Sequence, residues 1–256
     1  MKSQVFNLQW VRKLHPVHYP IVFTILALFA IGIIGGIMAR LLGIPEYRLA
    51  FTAPLTLLLA FAFGRPKDML LTTRFRWFSL KYYWLPVLTV AGIPLLTGGY
   101  DFSRVDTVVF WNMMGIGIFE EVLIHGIFMG LIMVKWGSNP KTLKQASLIG
   151  AFIFGLLHLN AILEDPSDIH LVHWKIATVG FATFLSVGFA GLAWQSQSIW
   201  GVALIHGLID VISNVGSPEM MMYIYGNWDW QCTVASLLYT FPMFIYGLWL
   251  LGKSKT

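Results

Sequence analysis

The sequence is short of charge. Of 256 residues only 11% are Asp, Glu, Lys or Arg, whereas 57% are hydrophobic and 15% aromatic. A water-soluble domain carries about 25% charged residues, so a deficit of this size makes lipid the main solvent. Cysteine is nearly missing too: the one residue, Cys232, excludes an intramolecular disulfide and any Cys-rich metal site. The alternating pattern of a transmembrane β-barrel is absent, which leaves helices as the way to cross a bilayer. No repeat and no change of composition divides the chain, so residues 1–256 read as one all-α, polytopic integral membrane domain.

What is present is a series of apolar runs, several near the roughly 20 residues that a hydrocarbon core requires. The expected spans are 20–42, 49–64, 83–97, 108–134, 146–163, 172–194, 199–214 and 234–251. Pro20 suits the first turn of the first span, while Pro86 and Pro94 break the third. The first run is too long for the h-region of a cleavable signal and reads as an anchor. Ahead of it, Lys2, Arg12 and Lys13 among Phe6, Leu8, Trp10 and Leu14 form the pattern of an interfacial segment. Residues 65–81 repeat that pattern, five basic groups interleaved with Phe75, Trp77 and Phe78, as expected of a cytoplasmic surface segment against anionic lipid.

Loop charges fix the orientation. With eight spans and both termini cytoplasmic, thirteen of the 17 basic residues fall inside and eight of the nine loop acids outside. That is the asymmetry of the positive-inside rule. Cytoplasmic loops thereby account for the net charge of +5, and no nucleic-acid partner is expected. The loop between the sixth and seventh spans carries no charge and is the least supported part of the count.

Six ionisable groups remain at membrane depth: Glu120, Glu121, His125, His158, His206 and Asp210. An ionisable side chain there costs at least about 2.5 kcal/mol, so such groups mark sites. At about 1.5 Å per residue, Glu120 and His158 lie about 20 Å from the inner ends of their spans, His206 about 12 Å and Asp210 about 18 Å. Three spans thus deliver polar groups to one layer. Glu121 and His125 are i,i+4 neighbours, as are His206 and Asp210. Gly115, Gly126 and Gly130 lie on another arc, where small residues let a neighbouring helix approach. His170 and His173, in an acidic loop, are expected to be exposed.

Serine proteolysis lacks a Ser in a suitable Gly-rich setting, the zinc-protease pattern H-E-x-x-H is absent, and a paired-aspartate site would need a second intramembrane Asp. A carboxylate that takes a proton from water, helped by histidines that orient the water or stabilise an oxyanion, fits the groups present. Here the chain resembles a known family. "EEVLIH" (Glu120–His125) is similar to the EExxxR motif of the CPBP family, the CAAX proteases and bacteriocin-processing enzymes; "FGLLH" (Phe154–His158) to its FxxxH; and "HGLID" (His206–Asp210) to its HxxxN/D. Order, spacing and placement on separate spans agree over about Trp111–Asn214, within a catalytic core of about residues 108–214.

The resemblance implies a glutamic-type intramembrane endopeptidase without a cofactor, acting on a membrane-associated protein or peptide. It makes Glu120 the general base, with His158 helping to position the water. His206 and Asp210 form the oxyanion-stabilising side, and Glu121 orients the site through His125. Two positions depart from the pattern. The family's arginine is His125 here, and Asp210 stands where asparagine is commoner. A carboxylate donates to an oxyanion only when protonated, so Asp210 is also read as fixing the His206 tautomer. Alternatives stay open: zinc or iron held by the same Glu, His and Asp groups, a proton-coupled transporter, or a non-catalytic immunity factor. A multi-pass protein of a prokaryotic plasma membrane is the expected setting.

Overall fold

The computed structural model describes residues 18–62, 66–89, 103, 105–136, 139–159, 168–213 and 227–253. The described residues are helical and contain no strand. We label the helices α1 (His18–Leu41), α2 (Thr52–Ala62), α3 (Thr107–Glu121), α4 (Met129–Trp136), α5 (Pro140–Leu157), α6 (Ile169–Ser196), α7 (Trp200–Ser213) and α8 (Trp230–Gly252). Between α3 and α4 the chain does not unwind but widens into a π-helical segment, Val122–Phe128.

Where helices begin is written in short polar side chains. Asp106, Asn139, Asp168 and Asp229 are N-caps that accept from N–H groups of the first turns of α3, α5, α6 and α8, satisfying donors that have no partner inside the helix. The Cys232 N–H also holds the Asp229 carboxyl below its ordinary pKa. Four helical stretches are long and apolar enough to cross a membrane: His18–Leu41, Thr107–Met133, Ile169–Ser196 and Trp230–Gly252. They coincide with the expected first, fourth, sixth and eighth spans. Helices α2, α5 and α7 lie where the second, fifth and seventh were expected, but α2 and α7 are shorter apolar helices. Of the third span only residues 83–89 are described, 84–89 as helix. Its second half and the interfacial segment 1–17 lie outside the described residues.

The sequence suggested that residues 65–81 lie on the membrane surface. The described part is also stitched into the protein. Arg76 N–H donates to the Ser196 carbonyl (3.0 Å), Ile199 N–H to Leu70 O (3.2 Å) and the Trp200 indole to Leu71 O (2.9 Å). The Thr73 hydroxyl bonds the Gln197 carbonyl. Met69, Leu71, Ser79 and Tyr82 are buried, and only an outer rim of Trp77, Phe78 and Leu80 stays exposed. The uncharged α6–α7 turn therefore gets its support from this segment. Gly126 and Gly130 face Met69 rather than a neighbouring helix, which corrects their expected role. Gly115 does permit a close approach, but by the Leu49–Ala50 backbone ahead of α2. Asn112 pins that stretch, accepting from Leu49 N–H and Ala50 N–H and donating to Glu46 O (2.7 Å).

The contact that positions the site is between α3 and α7. A Cβ on Gly117 would collide with the backbone of Gly207, its Cα at 2.6 Å, and one on Gly207 would meet Met114. With no side chain between them, the two helices bring Glu120, Glu121 and His206 to one level. On the other side α6 packs along α8, where Gly247 lies against the Val187 backbone.

Candidate active site

Glu121 is the centre of the polar cluster. It is 1% exposed, one of the most buried side chains in the protein. Oε2 lies 2.6 Å from His125 Nδ1 and Oε1 lies 2.7 Å from His206 Nδ1. At these distances each oxygen accepts a charge-assisted hydrogen bond from an imidazole N–H. Glu120, the next residue, is turned by about 100° and sits on the other side of His206, with Oε2 3.4 Å from Nε2. Asp210, one helical turn beyond His206 on α7, places Oδ2 3.8 Å from the same nitrogen. His206 is therefore held at Nδ1 by one glutamate and faced at Nε2 by two further carboxylates.

The expectation that Asp210 fixes the His206 tautomer is corrected by these distances. Among the described residues Glu121 does so, its Oε1 lying 2.7 Å from His206 Nδ1 and so within hydrogen-bond range. The expected pairing of Glu121 with His125 is present. It spans the junction of α3 with the π segment. His125 meets α6 with its other nitrogen: Nε2 is 2.9 Å from the Ser186 carbonyl oxygen and 3.2 Å from its hydroxyl.

His158 stands apart from this chain of contacts. It caps α5, and its Nδ1–H donates to the Phe154 carbonyl (2.9 Å). The Phe154 ring lies edge-on to His158 (4.8 Å) and to His206 (6.1 Å), while Phe189 approaches His206 from α6 at 5.5 Å. The structure thus unites Glu120, Glu121, His125, His206 and Asp210 through polar contacts and brings His158 beside them across one phenyl ring. Among the described residues no three His, Cys, Asp or Glu groups are arranged to hold a metal ion. His170 is exposed, as expected, and bonds the Trp228 carbonyl at 2.8 Å; His173 is half-buried.

Ser186 and Phe189 are absent from the set the sequence suggests. A lone Ser in an apolar span has many structural uses, and its contact here is made partly by the backbone, which no side-chain identity reports. The three polar motifs could be seen in sequence because charge in lipid is conspicuous.

No solved structure matches the chain. Residues 105–212 match a family model described as type II CAAX prenyl endopeptidase Rce1-like. That stretch holds all six polar groups, from the N-terminus of α3 almost to the end of α7, and the match is consistent with a CPBP family protease.

Proposed function

We propose that the protein is a glutamic-type intramembrane endopeptidase in which Glu120 activates a water molecule against a peptide bond. The observation that carries this reading is the unequal commitment of the two adjacent glutamates. Both oxygens of Glu121 are occupied by imidazole nitrogens at 2.6 and 2.7 Å, whereas among the described residues Glu120 has the long 3.4 Å approach to His206. A carboxylate saturated with donors is a poor base, so the proton of the water goes to Glu120. His158, with Nδ1–H engaged by Phe154, presents Nε2 as an acceptor that orients the same water.

As the water oxygen adds to the carbonyl carbon, negative charge collects on the carbonyl oxygen. His206 Nε2–H lies on the side facing Glu120 and Asp210 and donates to that oxyanion, with Nδ1 anchored by Glu121. Collapse breaks the C–N bond, and Glu120 returns its proton to the leaving amine. Glu121 neither gives nor takes a proton in this cycle; it fixes the His206 ring. No metal ion takes part in this scheme.

The substrate is a membrane-associated protein or peptide, and nucleic acid has no part in the function. The bilayer is a multi-pass prokaryotic plasma membrane, crossed eight times with both termini cytoplasmic. Contacts between segments support that topology. The segment after α2 touches the α6–α7 turn, and Lys144 at the start of α5 approaches Gly252 at the end of α8; all four are cytoplasmic in the eight-span arrangement. His170 and Trp228, which also touch, are both external in it. To test the activity, cleaved termini in the membrane proteome are compared between wild type, Glu120→Ala and His158→Ala. Cleavages lost in both variants support the reading, and an unchanged set in both refutes it.

A further inference from the structure

We infer that His125 works as a buried imidazolium, a positioning cation made by the Ser186 backbone carbonyl, and that its proton keeps Glu121 in the state the site requires. The argument starts from what each neighbour can do. A carbonyl oxygen accepts hydrogen bonds and never donates, and the Ser186 oxygen is 2.9 Å from Nε2, so Nε2 carries hydrogen. An ionised carboxylate is likewise acceptor-only, and Glu121 Oε2 is 2.6 Å from Nδ1, so Nδ1 carries hydrogen as well. An imidazole with hydrogen on both nitrogens is a cation. With Glu121 ionised, a neutral ring would place one lone pair against an acceptor at less than 3 Å in a setting that is 5% exposed to solvent.

The surroundings leave His125 as the local counter-charge. Glu121 is held by two imidazoles, and the second, His206, faces two further carboxylates, Glu120 and Asp210. The groups facing His125 are Glu121 from its own helix and Ser186 from α6, carbonyl and hydroxyl. Among the described residues, the π segment is also packed by the Met69 stretch, whose backbone and side chain face Gly126, and by α1, α2 and α5, which share its core through apolar side chains, among them Ala27, Ile31, Ala60, Leu143 and Ala146. Three carboxylates thus gather where two imidazoles are the cationic groups, and His125 is the one with no access to substrate. Its task is to keep Glu121 ionised, so that Glu121 accepts from His206 and leaves Nε2–H directed at the oxyanion. Loss of the His125 proton forces Glu121 to take one up or Nε2 to face a carbonyl unprotonated. In either case His206 loses its fixed orientation.

This inference rests on the proteolytic reading for its consequence but not for its test. The protonation state is read by ¹⁵N NMR of the full-length protein in nanodiscs with ring-labelled histidine. His125 is assigned as the signal missing from His125→Gln. The expected spectrum, at the pH of maximal cleavage, has both His125 nitrogens in the imidazolium range. Ser186→Ala keeps the carbonyl and keeps that signal. A neutral His125 in wild type, or an imidazolium lost on removing only the Ser186 hydroxyl, overturns the inference. Where His125→Gln does not fold, selective decoupling in the wild-type spectrum gives the same answer. In cleavage assays His125→Gln lowers kcat by about 10²-fold with KM little changed, the scale of a misplaced catalytic group. His125→Arg, a permanent cation at the same position, retains cleavage that His125→Gln loses. Cleavage by His125→Gln at the wild-type rate would also overturn it. A persistent imidazolium with Glu120→Gln still cleaving normally leaves the charge assignment standing and removes the proteolytic reading. A neutral ring with Glu120→Gln inactive does the reverse.

Discussion

Replacing Glu121 by glutamine exchanges one of its two acceptor oxygens for an NH₂ group. In the native site both oxygens accept from imidazole N–H groups, at 2.6 Å from His125 and 2.7 Å from His206. The amide can satisfy one; the other histidine then meets a donor. A hydrogen bond to a charged group contributes about 1.5–3 kcal/mol, and breaking a buried pair while its partner stays behind costs about 3–5 kcal/mol. Because Glu121 is 1% exposed, no water relieves the mismatch, and we expect the upper part of that range. In detergent or nanodiscs the melting temperature of Glu121→Gln then falls by roughly 10 °C. Glu120→Gln behaves differently. Its side chain is 19% exposed and approaches His206 at only 3.4 Å, so its stability stays within about 1 kcal/mol of wild type. Both variants lose activity, Glu120→Gln by about 10²–10⁴-fold as a lost general base. Paired thermal melts and cleavage assays separate the roles. Wild-type stability in Glu121→Gln, or a fully active Glu120→Gln, would refute the division of labour between the two glutamates.

Three more outcomes follow from the same geometry. Gly117→Ala drives a Cβ into the Gly207 backbone and should lower stability by about 1–3 kcal/mol along with activity, whereas Gly32→Ala, with nothing within 4 Å of its Cβ, leaves both unchanged in melts and cleavage assays. Asp210→Asn retains activity within about tenfold, since an amide N–H donates to an oxyanion without needing a proton, while Asp210→Leu loses about 10²-fold or more; equal losses in initial-rate measurements would remove Asp210 from the oxyanion side. A chelator leaves the cleavage rate of purified protein unchanged, and complete loss restored by zinc would replace the water-and-glutamate scheme with metal catalysis.

The sequence by itself determined the solvent, the class of fold and the residues of interest. Scarcity of charge announced lipid, and apolar runs placed the four long helices. Six ionisable groups stood out because charge at that depth is costly. The reading stopped short wherever backbone, not side chain, makes the contact. Residues 65–81 read as a surface segment because their aromatic and basic pattern fits lipid, and that pattern does not report the backbone hydrogen bonds that tie them to the α6–α7 turn. Gly126 and Gly130 read as a helix-packing stripe, but what approaches them is the loop residue Met69.

Tertiary structure alone decided which carboxylate serves which histidine. In sequence Asp210 is the natural partner of His206, one turn away on the same helix. The close α3–α7 packing at Gly117 and Gly207 instead puts Glu121 against His206 Nδ1 and leaves Asp210 at 3.8 Å. The π-helical turn is equally invisible in sequence, since nothing in "VLIHGIF" forbids a regular helix. Ser186 enters through its carbonyl oxygen, an atom that every residue has. Residue types told where polar groups had to gather; the distances between helices told which of them meet.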